Sequence, residues 1–128
     1  MNKELEVAFI NKYVVKEKRQ RYIGFIEKPT RRRDFLEMLY HGQDIDKSKY
    51  RRLDAFYERT ILQQVGKLPE DSNCYIISVN KKLDGQEMSI SAALKKLEPY
   101  TEGIVLIFGN CEVVYYQGEP PHNEWLSI

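Results

Sequence analysis

The apolar residues of this 128-residue chain change their period once, near Gly66, and that change limits what the chain can fold into. Before Gly66 they recur at helical spacing; after it they come in short unbroken runs rich in β-branched and aromatic residues. A helical half followed by a strand-rich half predicts an α+β fold, a small α/β arrangement with N-terminal helices packed on a C-terminal sheet unit.

In the first half, Leu5, Phe9 and Tyr13 follow at four-residue spacing behind Asn2, a residue suited to N-capping. Glu4 and Glu6 lie in the first turn, where the helix dipole favours negative charge. If that helix ran on, Lys12, Lys16 and Arg19 would share a neighbouring face. The apolar run at 22–26 has no decisive period and is read as helix. Pro29 interrupts it, and Thr30 stands as N-cap of a helix over 31–40 that buries Phe35, Leu36 and Leu39 and stops at Gly42. After a polar connection at 43–49, a further helix is predicted over 50–65, burying Leu53, Phe56, Tyr57, Ile61 and either Leu62 or Val65.

In the second half, residues 74–79 read as a strand, Asp84-Gly85 as a turn, and Ser89 as the cap of a helix with Ile90, Ala93, Leu94 and Leu97 on one face. Residues 103–108 are the strongest strand in the chain, and Gly109-Asn110 turns it into another at 113–116. This β-α-β-β order predicts a parallel pair joined by a right-handed crossover, with a hairpin strand beside it. The sheet then has three strands, or four if the tail bearing Trp125, Leu126 and Ile128 adds an edge strand instead of serving an oligomer contact. Its own helix covers one face and the N-terminal helices the other. Residues 1–128 would thus form one domain, of a size that buries about two-thirds of its unfolded surface: 1–66 mainly helical and basic, 67–128 strand-helix-strand-strand and acidic.

The charge follows that division. The first sixty residues carry fifteen Lys/Arg against ten Asp/Glu, the rest five against nine. Nine cations between Lys12 and Arg33 face only Glu17 and Glu27, a local excess that attracts phosphates or an acidic partner. No run reaches the roughly eighteen apolar residues of a membrane span, and the first residues lack a secretory apolar stretch. A cytoplasmic protein with no membrane partner is expected. Cys74 and Cys111 begin apolar runs and read as buried free thiols. Nine tyrosines suit either a core or a contact surface.

Three groups of residues suggest chemistry. Lys12, Lys16, Arg19, Arg21, Arg31, Arg32 and Arg33, interleaved with Tyr13, Tyr22 and Tyr40, have the composition of a surface that tracks a nucleic-acid backbone, charges on phosphates and rings on bases. On a helix, however, three consecutive arginines fan across about 200° and cannot all face one ligand. Their charge is also open to neutralisation by Glu87, Glu98 or Glu102 of the acidic half. His41, Asp44 and Asp46 offer metal-ligand atoms at a spacing that matches no established site, and fit turn and helix-end chemistry better. Asp84 and Glu87 lie after a strand and before a helix, where open α/β sheets bind ligands, but Asp-Gly also makes turns.

With no glycine-rich phosphate cradle, no nucleophile elbow and no partnered histidine, the sequence predicts binding in preference to catalysis, with no cofactor implied. The expected partner is nucleic acid, or an acidic protein surface, held by the basic helices. The alternative is a protein-interaction or regulatory module, of inhibitor or immunity type, docking a target or a second copy through its tyrosines; the weaker one is an enzyme using Asp84 and Glu87.

Overall fold

A computed structural model describes residues 1–53, 58–96, 103–120 and 124–128. The first helix, α1 (Lys3–Tyr13), is capped by Asn2, whose side chain accepts from the Leu5 amide at 3.2 Å, and it buries Glu6, Phe9, Ile10 and Tyr13. It stops at Tyr13 because the chain at 44–46 takes over the backbone groups there. Val15 donates to the Asp44 carbonyl at 2.8 Å, Asp46 donates to the Tyr13 carbonyl at 2.7 Å, and Val14 pairs with Ile45 in an isolated bridge. Lys16 and Arg19 therefore do not continue the face of Lys12. A single 3-10 turn, Lys16–Lys18, leads into α2 (Arg19–Glu27), so residues 22–26 are helical as read.

Pro29–Arg31 forms another 3-10 turn, which displaces Thr30 from the N-cap and starts α3 (Arg32–His41) at Arg32. Phe35 and Leu39 are buried on α3, and Gly42, left-handed at φ 71°, ends it with its amide on the Met38 carbonyl. The predicted helix over 50–65 is corrected at its start. Tyr50–Leu53 is a strand, β1, and only Glu58–Val65 is helical, as α4; Phe56 and Tyr57 lie outside the described residues. Tyr50 and Leu53 are three apart, as on a helix face, but here they go to opposite faces of the sheet.

The strand-rich half contains β2 (Asn73–Ser78), β3 (Glu87–Ser89), α5 (Ile90–Lys95), β4 (Ile104–Phe108), β5 (Val113–Gln117) and β6 (Glu124–Ser127). Ser89 caps α5 by accepting from the Ala92 amide at 3.2 Å; Leu97 lies outside the described residues. Among the described residues the sheet has six strands, not three or four, in the order β1-β6-β5-β4-β2-β3, and every neighbouring pair is antiparallel.

The predicted parallel pair of β2 and β4 is thus wrong, since Cys74 faces Phe108 and Ser78 faces Ile104. The chain reverses at 80–86 and lays β3 back along β2, Ser89 opposite Asn73. The helix-containing connection then joins β3 to β4, which flank β2 and run the same way. The tail does add a strand, but β6 is internal, between β5 and β1.

Because helices cover both faces, the central strands are buried along their whole length, which is why they read as unbroken apolar runs. One face, with Tyr75, Ile77, Val105, Ile107, Val114 and Tyr116, packs on α1, α2 and α3. The other, with Ile76, Leu106, Phe108, Tyr115 and Leu126, packs on Ile61 and Val65 of α4 and Ala93 and Leu94 of α5. Cys111 belongs to the first core and Cys74 to the second, and both are buried free thiols. No helix among the described residues is long and apolar enough to cross a membrane.

Candidate functional site

The three consecutive arginines do fan apart. Arg32 points inward, where its Nη1 and Nη2 donate to Glu6 at 2.6 and 2.8 Å, and its Nε and Nη2 donate to Asp84 at 2.9 and 2.7 Å. Burial opposes its charge, but the hydrogen bonds to Asp84 and Glu6 outweigh that and hold the guanidinium more firmly protonated than usual. Around this core, Tyr75 donates its hydroxyl to Glu6 at 2.6 Å, and the Ser78 amide donates to Asp84 at 3.1 Å. Arg33 points outward and pairs with Glu37 of its own helix at 3.3 Å, and Arg31, at the N-cap, lies over the Phe25 ring at 4.9 Å and pairs with Asp34 at 2.5 Å. The counter-ions of the arginine run are therefore Glu6, Asp84, Asp34 and Glu37; Glu87 bonds to the Asn2 side chain instead, and Glu98 and Glu102 lie outside the described residues.

The predicted stacking residues are placed differently. Tyr22 is fully buried and donates its hydroxyl to Asp44 at 2.9 Å; burial, reinforced by that carboxylate, pushes its pKa far up. Tyr40 is half-buried with its ring edge-on to His41. Tyr13, Tyr50, Tyr75, Tyr115 and Tyr116 join Tyr22 in the core, so most of the nine tyrosines serve packing and not a contact surface.

The remaining cations gather at the corner between α1 and α2. Lys12 extends from the end of α1 to the Cys111 carbonyl at 3.0 Å, and Arg19 turns its Nε to the Val14 carbonyl at 2.9 Å. Arg21 lies over the buried Phe25 ring, 5.5 Å from its centroid, and Lys16 and Lys18 are exposed on the 3-10 turn. None of these five forms an ion pair among the described residues.

The possible metal ligands are dispersed among separate tasks. His41 pairs with Glu119 at 3.0 Å, Asp44 accepts from Tyr22, and Asp46 accepts from the Ser48 amide and hydroxyl, which holds its carboxyl below the usual range. Among the described residues no three His, Cys, Asp or Glu side chains form a group able to hold a metal. Asp84 and Glu87 have separate partners, Asp84 giving both oxygens to Arg32 and Glu87 accepting from Asn2 at 2.7 Å.

Sequence reading missed the inward role of Glu6. The signal was its spacing, since Glu6, Phe9 or Ile10, and Tyr13 share one face of α1. It also missed an acidic groove of about 570 Å³ beside the first turn of α1, where Glu4, Asp71, Glu87 and Glu112 line the wall over Leu5 and Ala8. Among the described residues no Lys or Arg lines that groove. Its carboxylates come from four separate segments, which no local pattern in the sequence connects.

No protein-family model, no curated protein and no solved structure matches this chain.

Proposed function

We propose that the protein is a non-catalytic binding module that holds nucleic acid by its phosphate backbone at the corner between α1 and α2. The observation that carries this reading is that Lys12, Lys16, Lys18, Arg19 and Arg21 fall within ten consecutive positions, with only Glu17 against them, and form no ion pair among the described residues. Such a cluster attracts a polyanion by charge alone. The rings beneath it, Tyr22 and Phe25, are buried, so base stacking contributes nothing there and the binding is indifferent to base sequence. We take the compartment to be the cytoplasm, a reading supported by the two buried free thiols.

The test is titration of a fluorescent mixed-sequence duplex and single strand with the protein at low and moderate salt. With about four phosphates contacted, affinity falls roughly a hundredfold between about 50 and 200 mM salt. The exposed reversal K16E/K18E/R21E abolishes binding without changing the urea midpoint. Binding that is insensitive to salt or to the triple reversal overturns the proposal. No binding at either salt also overturns it, and leaves an acidic protein surface as the partner for this corner.

A further inference from the structure

A second concavity lies at the C-terminal end of α2, between the start of α1 and the α2–α3 connection. It is a half-open pocket of about 400 Å³ with apolar walls from Met1, Phe25, Ile26 and Pro29. That volume and character fit a small-molecule site, which is mostly apolar with a few polar groups to orient the ligand.

The polar groups determine the sign of the ligand. A guanidinium has five N–H donors, and Arg32 spends four of them on Glu6 and Asp84. The fifth, on Nη1, has no acceptor among the described residues, and Arg32 lines this pocket. Glu6 also lines it, but its oxygens are already taken by Arg32 and the Tyr75 hydroxyl. Lys3 and Lys28 are exposed at the pocket and form no ion pair among the described residues, against the single carboxylate of Glu27. The uncommitted groups thus favour an anion over a cation.

We propose that this pocket binds a small organic carboxylate with an apolar tail. The tail lies against Met1, Phe25 and Ile26, and the head group sits at Arg32 Nη1 with Lys3 and Lys28 around it. The site is distinct from the basic corner and does not depend on nucleic-acid binding.

Decanoate and decyltrimethylammonium, which share a tail and differ in head charge, separate the head-group claim from general greasiness. Each is titrated below its micelle concentration, with calorimetry for affinity and the methyl resonances of Met1 and Ile26 for location. Decanoate is expected to bind once, saturably, moving both methyls, and the ammonium at least about tenfold more weakly. The surface reversal K3E/K28E lowers decanoate affinity by about tenfold or more, with an unchanged urea midpoint. Equal affinity for the two head groups, decanoate binding that survives the double reversal, shifts scattered over the whole molecule, or no decanoate binding at all overturns the proposal.

Discussion

Arg32 holds one positive charge between two carboxylates whose side chains are 2% and 8% exposed, and is itself 17% exposed. Removing it would leave Glu6 and Asp84 facing each other with no cation in a region that water barely reaches. Breaking a buried ionic group in this way typically costs about 3–5 kcal/mol, far more than the pair contributes over an apolar replacement. Arg32→Ala should therefore lower the unfolding free energy by about that amount in urea titration. Arg31→Ala and Arg33→Ala break solvent-exposed pairs and should cost under about 1 kcal/mol. Arg32→Lys should recover only part of the loss, because a single ammonium cannot fork to two carboxylates at once. Similar losses for all three alanine variants would show that Arg32 is not the buried member.

At the scale of elements, two glycines give opposite predictions. Gly42 ends α3 at φ 71°, and a Cβ there would collide with the hydroxyl of Tyr116, which donates to the Leu39 carbonyl. Gly24 lies within α2, where a Cβ meets nothing. Gly42→Ala should destabilise by more than about 1 kcal/mol, and Gly24→Ala should stabilise by about 0.5–1 kcal/mol, both read from urea midpoints. The cap at Asn2, the stop at Gly42 and the cap at Ser89 are all chemistry within a few residues, so α1, α3 and α5 were legible in the sequence. Strand β1 was not, because the pattern of Tyr50 and Leu53 is also helical and the partner that decides, β6, is more than seventy positions away. The same limit hid the site. The partners of Arg32 lie 26 and 52 positions off, and only the fan of three arginines warned that they could not act together.

On the scale of the molecule, burial should make the protein sensitive to alkali. Tyr22, Tyr50, Tyr75, Tyr115 and Tyr116 all have pKa values raised chiefly by burial, and the thiols are raised too, Cys111 to about 11 and Cys74 further. In the unfolded chain thiols titrate near pH 8.5 and phenols near pH 10. Above those values the unfolded state releases protons that the folded state keeps, so stability falls as pH rises, by about 1.4 kcal/mol per pH unit for each such group. The Cys111 contribution to that slope ends near pH 11, where the folded thiol also ionises. Five phenols together give a slope comparable, within a pH unit or two, to the whole stability of an ordinary domain, about 5–15 kcal/mol. The urea midpoint should be flat from about pH 6 to 8 and collapse between about pH 10 and 12. Phenolate absorbance should appear with the loss of circular dichroism and not before it. These groups are divided between the two faces of the sheet, Tyr22, Tyr50, Tyr75 and Tyr116 on one and Tyr115 on the other. A single step therefore means that both cores are lost together and the chain folds as one domain. Two steps would mean that the helical half and the α4–α5 side hold their structure separately, and phenolate formed while the fold persists would show that the tyrosines are not buried as described.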